Sequence, residues 1–580
     1  MSNPTPTINL SLPQRLADFS NLLEALEYAA LGETGFNFYS ARGKLDHVLE
    51  YSRLCESAKE VAKYIMGTGA KQGDRIALLA ETTPEFLVSF FACQYAGVIP
   101  VPMPTPLAFG RRDGYVDQIH NQLESAGASM IIGSNDYLSL LKLAASNTVV
   151  KFIGSLLELQ AGQKVSNHRI LQPEDLCILQ YSSGSTRFPK GVGISHNNLM
   201  VNCTAMNFAV RNSPRERAVS WLPFYHDMGL IGFMIGCMAG QTSVDYLSPE
   251  SFARRPLTWL KIISQNSATM SYGPSFGYEL CTRRHGSSLG AAVEGLDLKS
   301  WRVAGIGGEM VKPQVMLNFA KEFKEYGFAE SAFNPAYGLA EATLGVSFTV
   351  PGKGMTLDHI SKFELGENNL ALSVPNDGSG VGRTFVACGV IVQDHKVEIR
   401  DKNGRVLPDR SVGQVFFAGP SVMKGYYNDQ LATDEYIIDG WLNTGDLGYF
   451  VDGELILVGR SKDVMIVNGR NYWPQDIEWT VEKISGINSG DAAAFVIEAE
   501  NEQDAPIVLV QCRVSDRALR IALIEEVKTK VYEQIGLMCD VILVLPRTLP
   551  KTSSGKLSRG KAKADYVRGD ILSVTDESDD

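Results

Sequence analysis

The chain has 580 residues and is therefore too long for a single hydrophobic core, so we expect two or more domains. Hydrophobic residues make up 44% of it and charged residues 21%, as in ordinary soluble globular proteins. The formal net charge of −11 argues against a general affinity for nucleic acid or anionic membranes. The nine cysteines are scattered, which predicts reduced and mostly buried thiols in a cytoplasmic protein rather than a disulfide framework or zinc site.

Neither the N-terminus nor the most apolar segment has the pattern of an export signal or a membrane span. The first residues, MSNPTPTINLSLPQ, contain neither a basic cluster nor an apolar stretch, which argues against a secretory signal. The apolar segment GLIGFMIGCMAG at 229–240 has twelve residues and falls short of the roughly 20 that cross a bilayer. We therefore predict a buried wall there and no transmembrane segment.

In chain order, the first half alternates short β-rich runs with helical stretches. RIALLA (75–80) predicts a strand and TPEFLVSFFACQYAG (83–97) a helix. SMIIGS (129–134) and NDYLSLLKLAAS (135–146) repeat the pair. This alternation indicates an α/β fold with an open, largely parallel sheet covered by helices.

From about residue 386 the pattern changes to hairpins. VIVQDHKVEIRDKNGRVLPD (390–409) carries an Asn-Gly turn signal, and GQVFFAGP (413–420) follows, which together predict a β-rich subdomain. A smaller α+β segment runs from there to about residue 568. The acidic end, SVTDESDD, is predicted to be disordered.

The stretch QYSSGSTRFPKGVGISHNNL (180–199) concentrates small and hydroxylated residues beside two cations. LCILQY (176–181) before it predicts a buried strand, and a strand end followed by a helix is predicted after it. A turn of this composition between strand and helix offers backbone N–H groups and hydroxyls that suit phosphate oxygens. A polar surface loop is the alternative. The Walker pattern is absent, which disfavours a P-loop kinase or GTPase.

Seven motifs in order show a specific resemblance to the adenylate-forming superfamily, which includes acyl-CoA synthetases, luciferases and peptide-synthetase adenylation domains. Within it the chain is most similar to fatty acyl-AMP ligases, through Arg187 where glycine is usual, HDMGLIG, Ala340 where many relatives have threonine, and NYWPQDIE. The motifs are YSSGSTRFPKG (181–191), LPFYHDMGLIG (222–232), GGE (307–309), YGLAEAT (337–343), NTGDLG (443–448), VGRSKDVMIVNGRNYWPQDIE (458–478) and LPKTSSGKLSR (549–559).

The resemblance implies an architecture and a reaction. It implies a large α/β N-terminal domain, 1–461, with an insertion at about 351–385 and a β-rich subdomain at about 386–461. A small mobile α+β domain, 462–570, and a disordered acidic tail, 571–580, follow. The implied reaction uses ATP and Mg²⁺ to convert a fatty acid to acyl-AMP and pyrophosphate. The acyl group then passes to an acyl carrier protein or to a polyketide or peptide synthetase.

The resemblance also implies residue roles. Lys556 neutralises charge between the carboxylate and the α-phosphate, Glu341 holds Mg²⁺, and His226 shapes the entry of the acyl chain. Lys462 is the hinge between the domains. For His226 a simply buried, hydrogen-bonded histidine is the alternative. The implied ATP or AMP contacts are Ser182, Ser183, Gly184, Ser185, Thr186, Lys190, Gly307, Gly308, Glu309, Tyr337, Gly338, Asp446, Arg460 and Lys556.

Two apolar regions are expected to line a tunnel for the alkyl tail. They are MGLIGFMIGCMAG (228–240) and TMSYGPSFGYELC (269–281), each rich in Gly, Met or aromatics; a core strand and helix without ligand contact would have the same composition. The insertion carries six apolar side chains that are expected to dock on the large domain and hinder entry of CoA; a harmless surface excursion is the alternative. The expected tunnel residues are Met228, Phe233, Tyr272, Gly273 and Pro274.

Two other functions remain open at this stage. An ordinary acyl-CoA synthetase shares the first half-reaction and completes it with CoA. A non-catalytic adenylate-binding or scaffold protein could use the same fold, although a pure binder would not need Lys556. Release of pyrophosphate separates enzyme from binder, and product analysis with and without CoA separates ligase from synthetase.

Overall fold

The structure is a computed structural model, and some short stretches of the chain are not described. Most of the N-terminal sequence that was read for a signal and the loop residues 182–187 lie outside the described ranges. Within those ranges, every helix is too short or too polar to traverse a bilayer. The described residues are 12–106, 112–166, 169–181, 190–286, 295–378, 381–467, 470–497, 505–551 and 556–574.

A mixed sheet forms the centre of the large N-terminal part. Among the described residues it has nine strands, with six parallel ones in the middle and antiparallel strands at both edges. The middle strands are short apolar runs buried on both faces, as parallel strands covered by helices must be. In spatial order the strands are Val390–Ile391, Gly345–Phe348, Phe333–Gly338, Val303–Ile306, Met270–Gly273, Arg217–Ser220, Ser243–Leu247, Gly35–Tyr39 and Leu45–Glu50.

A second, fully parallel sheet contains the two strands predicted near the N-terminus. Its described strands, in spatial order, are Ile99–Met103, Arg75–Leu79, Ala128–Ile132 and Phe152–Gly154. The helix predicted after Arg75–Leu79 runs over Pro84–Tyr95, with Thr83 as its N-cap and proline in its first turn. These elements confirm the predicted strand–helix alternation.

The phosphate-loop candidate joins two antiparallel strands, which corrects the predicted strand-to-helix turn. Leu176–Tyr181 pairs with Gly191–Ser195, and Gly425–Tyr426 adds a third strand. The helix His196–Ala209 begins only after the second strand, where Ser195 and Asn198 form a reciprocal capping box. The predicted order of strand, loop, strand end and helix is right. The strand after the loop, however, pairs antiparallel with the strand before it.

The β-rich subdomain forms as predicted, although its hairpins extend further than the Asn-Gly signal alone implied. Lys396–Arg400 pairs with Gly413–Ala418, and the turn between them contains Gly404 at φ +80°. The insertion contributes a strand pair and a helix: its strands are Leu357–Ser361 and Gly382–Val386, and its helix is Lys362–Asn368. The remaining strands of the subdomain are Trp441–Val451, Ile437–Ile438 and Glu454–Arg460.

The C-terminal part has its own apolar clusters. Two of them consist entirely of residues between Met465 and Val574, while Trp473 packs into a third cluster together with Ile360 and Leu365 of the insertion. The predicted class, a large α/β part followed by a smaller α+β part, is confirmed. The strands of the smaller part are Met465–Val467, Arg470–Tyr472, Ala492–Ile497, Ala505–Gln511 and Asp540–Val544.

The predicted acidic tail begins too early. Ile571 and Val574 are buried, and the Val574 N–H donates to the Leu543 carbonyl at 2.9 Å. Residues 571–574 therefore pack on the C-terminal sheet, because two apolar side chains bury there before the charged run starts. The rest of the tail, 575–580, lies outside the described residues.

Helices cover the sheets, and the most apolar of them is a π-helix. Met228–Gly236 has this wider geometry, which is rare and found most often at functional sites. It is buried along most of its length, which confirms the predicted wall. The described α-helices are Leu22–Ala29, Tyr51–Gly67, Pro84–Tyr95, Arg112–Ala126, Leu138–Ala144, Leu156–Gln160, His196–Ala209, Cys237–Ala239, Pro249–Arg254, Leu257–Gln265, Ser275–His285, Pro313–Phe323, Lys362–Asn368, Gln430–Tyr436, Pro474–Val481, Arg517–Ile535 and Arg559–Val567.

Candidate active site

A carboxylate, a phenol and a guanidinium meet where the β-rich subdomain contacts the central sheet. The Tyr337 hydroxyl donates to Asp446 Oδ2 at 2.6 Å, and Arg460 Nε lies 3.6 Å from Asp446 Oδ1. Asp446 and Arg460 are opposite each other in an antiparallel strand pair, so the ladder fixes their approach. Burial raises the pKa of the Asp446 carboxyl, although Arg460 and Tyr337 favour its charged form. This carboxylate is positioned to accept hydrogen bonds from a ligand's hydroxyls.

The glycine loop at 307–309 lies beside this cluster. Gly308 has φ +80°, a backbone conformation that favours glycine, and a Cβ built on it would lie at an ordinary contact distance of 3.6 Å from Lys556 Nζ. Glu309 accepts hydrogen bonds from the backbone N–H groups of Ser275 and Phe276, at the start of helix Ser275–His285. Its carboxylate thus caps a helix, while the two glycines border the cavity.

Gly338 is required for a different reason, the close approach of backbone to backbone. A Cβ at this position would lie 2.0 Å from the Leu344 carbonyl oxygen, which is closer than any real contact. Gly338 follows Tyr337 at the end of its strand and borders the cavity. The glycine therefore lets the chain fold back tightly directly behind Tyr337.

Lys556, from the C-terminal part, reaches into this site. Burial lowers the pKa of the Lys556 ammonium, while Asp227 and Glu309 favour its charged form. Its side chain borders both cavities found here, next to Gly308 and Arg460. The structure thus places Lys556 beside motif residues of the large part, where the sequence analysis expected it.

His226 pairs with a neighbour that the sequence analysis did not single out. His226 Nδ1 lies 2.7 Å from Asp227 Oδ1, and both side chains are mostly buried. Although burial acts to raise it, the pKa of the Asp227 carboxyl is lowered by His226 and, further away, by Lys556. Asp227 therefore provides negative charge on the wall that faces Lys556. The motif HDMG contained this signal, because an acid next to a candidate histidine commonly orients it.

Glu341 lies on a short 3-10 helix, Ala340–Ala342, and its Oε1 accepts a hydrogen bond from the Tyr426 hydroxyl at 2.9 Å. The next turn is strained: Thr343 has φ +69° and ψ −58°, and its hydroxyl donates to the Ser421 carbonyl at 2.7 Å. Burial raises the pKa of the Glu341 carboxyl despite the bonds from Tyr426 and the backbone. Strained backbone held by such bonds is common where a site must keep one geometry.

Two lysines and two tyrosines lie together at the edge of the site, and both lysines contact Tyr436. Lys190 Nζ lies 4.9 Å from the ring centroid of Tyr426 and 5.2 Å from that of Tyr436. Lys462, exposed in the turn Ser461–Asp463, donates to the Tyr436 hydroxyl at 2.9 Å. The candidates Ser182, Ser183, Gly184, Ser185 and Thr186 precede Lys190 and lie outside the described residues.

An apolar channel continues from the polar cluster as part of one cavity of about 260 Å³. Met228, Phe233 and Tyr272 line it as predicted, and the Tyr272 hydroxyl is held by Asn334. Gly273 and Pro274 do not line it: a Cβ on Gly273 would meet the Trp221 ring at 3.0 Å, and Pro274 precedes a helix. The sequence analysis missed Met206, Asn207, Val210 and Phe348, whereas Cys237 and Met270 lie within the two apolar regions that it expected to line the tunnel.

The missed residues belong to helix His196–Ala209, to its C-cap Val210 and to strand Gly345–Phe348, all outside the two predicted regions. The signal was weak because helix His196–Ala209 and strand Gly345–Phe348 have no motif of their own along this face. Their proximity to the π-helix is set by packing. Met-rich linings adapt to different apolar ligands, which suits an alkyl chain.

Glu341 is the residue best suited to hold a divalent cation. No group of three or more His, Cys, Asp or Glu side chains that could form a metal cage occurs among the described residues. Mg²⁺ does not need such a cage, because it is commonly bound by one or two carboxylates together with substrate phosphates and water. A buried carboxylate that borders the cavity and is anchored by a phenol fits that mode.

The comparisons with known proteins agree with the site. The family described as AMP-binding enzyme matches residues 37–427, and the chain belongs to this family. The description "Disco-interacting protein 2-like, AMP domain" matches residues 462–575. The predicted membership of the adenylate-forming enzymes is therefore confirmed, and the family supports use of ATP.

More specific relatives extend over nearly the whole chain. A Caulobacter vibrioides protein described as a putative acyl-CoA synthetase is 45% identical over 562 residues, 96% of each chain. The medium-chain-fatty-acid–acyl-carrier-protein ligase JamA of Moorena producens is 32% identical over 578 residues, again 96% of each. A solved structure from a study of fatty acyl-adenylate ligases of E. coli and L. pneumophila superimposes with a TM-score of 0.91 at 42% identity, covering 96% of this chain and 99% of that one. The predicted likeness to fatty acyl-AMP ligases is confirmed.

Proposed function

We propose that this protein activates a fatty acid with ATP, releases pyrophosphate and retains the acyl-AMP. The observation that carries the proposal is a single cavity with two chemically distinct ends. Arg460, Glu341 and Lys556 border its polar end, and methionines and aromatic rings line its apolar channel. A nucleotide and an alkyl carboxylate fit such a cavity with their reacting groups meeting beside Lys556.

In the first step a carboxylate oxygen of the fatty acid bonds to the α-phosphorus of ATP, and the bond from that phosphorus to the bridging oxygen breaks. Pyrophosphate leaves with the electron pair. Both reactants are anions, so charge neutralisation and alignment are the main requirements. We assign charge neutralisation to Lys556, while Asp227 and His226 shape the wall on the carboxylate side.

We assign the nucleotide contacts from the motif resemblance, with the geometry as support for the described residues. Asp446 accepts the ribose hydroxyls with Arg460 beside it, and Tyr337 together with the backbone of Gly307, Gly308 and Glu309 covers the adenine. Lys190 and the hydroxyl-rich loop at 182–186 contact the β- and γ-phosphates. Glu341 would hold Mg²⁺, which supplies positive charge against the phosphates when bound.

In the second step we propose that the thiol of a phosphopantetheine arm attacks the acyl carbon, so that a thioester forms and AMP leaves. The acceptor is an acyl carrier protein or a carrier domain of a polyketide or peptide synthetase. The relative JamA, whose name states ligation to acyl carrier protein, supports this choice. The nine free thiols, eight of them buried, support a reducing cytoplasmic setting.

CoA is the competing acceptor, and the relative described as a putative acyl-CoA synthetase favours it. The docked insertion favours the carrier. Arg383 at the end of the insertion pairs with Asp476 of the C-terminal part at 2.9 Å, and Lys362 donates to the Gln534 carbonyl at 3.1 Å. An anchor of this kind hinders rotation of a domain 462–570 about Lys462, the motion we propose for the second step.

A scaffold function without catalysis is the remaining alternative. A scaffold gives no reason to place the Lys556 ammonium near acidic groups in the site. The ammonium loses hydration in that position, and a neutral side chain could fill a binding role at lower cost. We therefore retain the enzyme assignment.

The test is pyrophosphate release with a series of fatty acids of graded length, followed by product analysis with CoA, with a phosphopantetheinylated carrier protein, and with neither. We expect pyrophosphate release and bound acyl-AMP, transfer to the carrier, and little acyl-CoA. Abundant acyl-CoA would replace the proposal by a synthetase. Absence of pyrophosphate release with every fatty acid, while ATP still binds, would favour the scaffold.

A further inference from the structure

An ion pair joins Lys312, shortly after the glycine loop, to Glu482 of the C-terminal part, and no role assigned above uses it. Both side chains border a second cavity, which Glu309 and Lys556 also line. Lys312 Nζ lies 2.8 Å from Glu482 Oε2 and donates to Ser489 Oγ at 2.7 Å. Both charged side chains are mostly buried, with 23% of Lys312 and 12% of Glu482 exposed. The cation also lies 5.7 Å from the ring centroid of Trp479.

Each partner occupies the helix end that its charge does not favour. Lys312 is the N-cap of helix Pro313–Phe323, where the helix dipole favours anions, and Glu482 is the C-cap of helix Pro474–Val481, where it favours cations. Neither placement helps its own helix. The placements make sense together, because the two helix ends and the two charges face each other across the interface.

The pair is connected to reacting groups on both sides. Lys312 follows Gly308 and Glu309 by a few residues, and its N–H donates to Ser275 Oγ at 3.3 Å. On the other side Glu478, one helical turn before Glu482, pairs with Arg559 at 2.7 Å, and Arg559 lies three residues after Lys556. A short and rigid path therefore links the Lys312–Glu482 contact to Lys556.

Helix Pro474–Val481 is thus held at both ends by the large part of the protein. Asp476 in its first turn contacts Arg383, and Glu482 at its end contacts Lys312. Within the C-terminal part, the Gly490 N–H donates to Glu482 Oε1 at 2.6 Å and so orients the carboxylate toward Lys312. Loss of the Lys312 contact would remove the anchor between the C-terminal end of this helix and the large part of the protein.

We propose that Lys312 is a positioning residue whose ion pair with Glu482 keeps Lys556 in the cavity during adenylation and opens before acyl transfer. The proposal rests on the proposed function for its catalytic consequence. Lys312 does not touch the reacting groups in this structure, so its effect is exerted through the placement of the C-terminal part.

The test compares Lys312→Met, which keeps most of the stem and removes the charge, with Lys312→Arg and with the exchange Lys312→Glu plus Glu482→Lys. Lys321→Met, an exposed lysine on the adjoining helix, is the matched control. For Lys312→Met we expect kcat for pyrophosphate release to fall about tenfold while KM for ATP stays within about twofold, because a residue that acts only on the transition-state arrangement lowers kcat without weakening ground-state binding. Lys312→Arg and the exchange should recover most of the rate.

Hydrogen exchange provides a readout besides activity. With a non-hydrolysable acyl-adenylate analogue bound, residues 307–312 and 474–490 should exchange faster in Lys312→Met than in the unaltered protein, with other segments and the thermal midpoint unchanged. Unaltered kcat together with unaltered exchange would overturn the proposal, and so would a general loss of stability with kcat and KM affected alike. If the unaltered protein adenylates no fatty acid, the proposed function fails. The exchange measurement still shows whether the Lys312–Glu482 pair holds the C-terminal part against the large part.

Discussion

At the scale of the residue, the site depends on a few charges held where water is largely absent. Burial penalises the charges of Lys556, Asp227 and Asp446, while the two carboxylates favour the charged form of Lys556 and Lys556 favours theirs. Such clusters occur where an enzyme must bind charged reactants. Two predictions concern the lysine in this cluster.

Lys556→Ala should retain the fold and ATP binding and lose most adenylation. Removal of a charge that meets the transition state costs on the order of 2.7–4 kcal/mol, by analogy with an oxyanion-hole donor, or a rate loss of about 10²–10³. The measurement is pyrophosphate release under saturating substrates, with the exposed Lys551→Ala as control. A loss of only a few-fold would remove Lys556 from the mechanism.

The alkaline limb of the pH profile should report the same lysine. Its ammonium form is the active one, and burial lowers its pKa below the usual 10.5, so kcat/KM is full below the lowered pKa and falls as the pH rises through it. The decline of kcat/KM should therefore begin at a lower pH than the titration of an ordinary lysine would give. In Lys556→Arg, whatever its absolute rate, the limb should move to higher pH because a guanidinium keeps its charge. An identical limb in both proteins would assign it to another group.

At the scale of the element, two segments control how the C-terminal part sits on the large one. The turn Ser461–Asp463 carries Lys462 and connects the last strand of the β-rich subdomain to the C-terminal sheet. The insertion buries Ile360 and Leu365 in one cluster with Trp473, while Phe363 and Leu372 stay exposed. Of the six apolar side chains expected to dock, the two that are buried are those that face the shared cluster.

Lys462→Pro should impair acyl transfer more than adenylation. Proline fixes φ near −65° and so restricts a residue that must change its backbone angles if it is the hinge. Adenylation and transfer are measured separately, by pyrophosphate release and by thioester formation on the carrier, with Lys462→Ala to separate the loss of the Tyr436 contact from the backbone effect. Unchanged rates of both steps would place the hinge elsewhere.

The insertion should act as a brake on CoA entry through its exposed contacts. Glu367 pairs with Arg470, and Lys362 contacts the Gln534 carbonyl, so Lys362→Ala plus Glu367→Ala loosens the anchor without removing a core side chain. We expect acyl-CoA formation to rise several-fold and pyrophosphate release to stay within about twofold. Lys402→Ala, in an exposed turn of the subdomain, is the control. Unaltered acyl-CoA formation would show that these contacts do not exclude CoA.

At the scale of the whole molecule, separate hydrophobic clusters are joined at an interface that is largely polar. The largest clusters belong to the central sheet and to the C-terminal sheet, and among the described residues only the cluster with Trp473 includes residues from both parts. Interfaces of this composition favour relative motion of domains over rigid fusion. Under the proposed function, a ligand contacted by Asp446 of the large part and by Lys556 of the C-terminal part is expected to add to the coupling.

A non-hydrolysable acyl-adenylate should stabilise the folded state accordingly. At one hundred times its Kd it should raise the free energy of unfolding by about 2.7 kcal/mol. Scanning calorimetry with and without the analogue measures the shift, and Asp446→Asn, which removes the acceptor charge, should reduce it at equal concentration. An equal shift in both proteins would exclude Asp446 from the binding site.

The sequence by itself indicated the kind of reaction and the order of the motifs along the chain. The family resemblance carried by the motifs singled out Glu341, Asp446, Arg460 and Lys556, because a motif is a local property of the chain. Strand and helix alternation predicted the α/β class because side-chain periodicity is also local. The strand Arg75–Leu79 and the helix Pro84–Tyr95 needed no tertiary information.

Only the tertiary structure decided which residues meet. The hydrogen bond from Tyr337 to Asp446 joins positions 109 residues apart, and the pair Lys312–Glu482 joins positions 170 apart. No pattern within a single strand or helix specifies such separations; packing of whole elements does. For that reason Met206 and Phe348 lined the channel unpredicted, Gly273 fell outside it, and residues 571–574 packed where a free tail was expected.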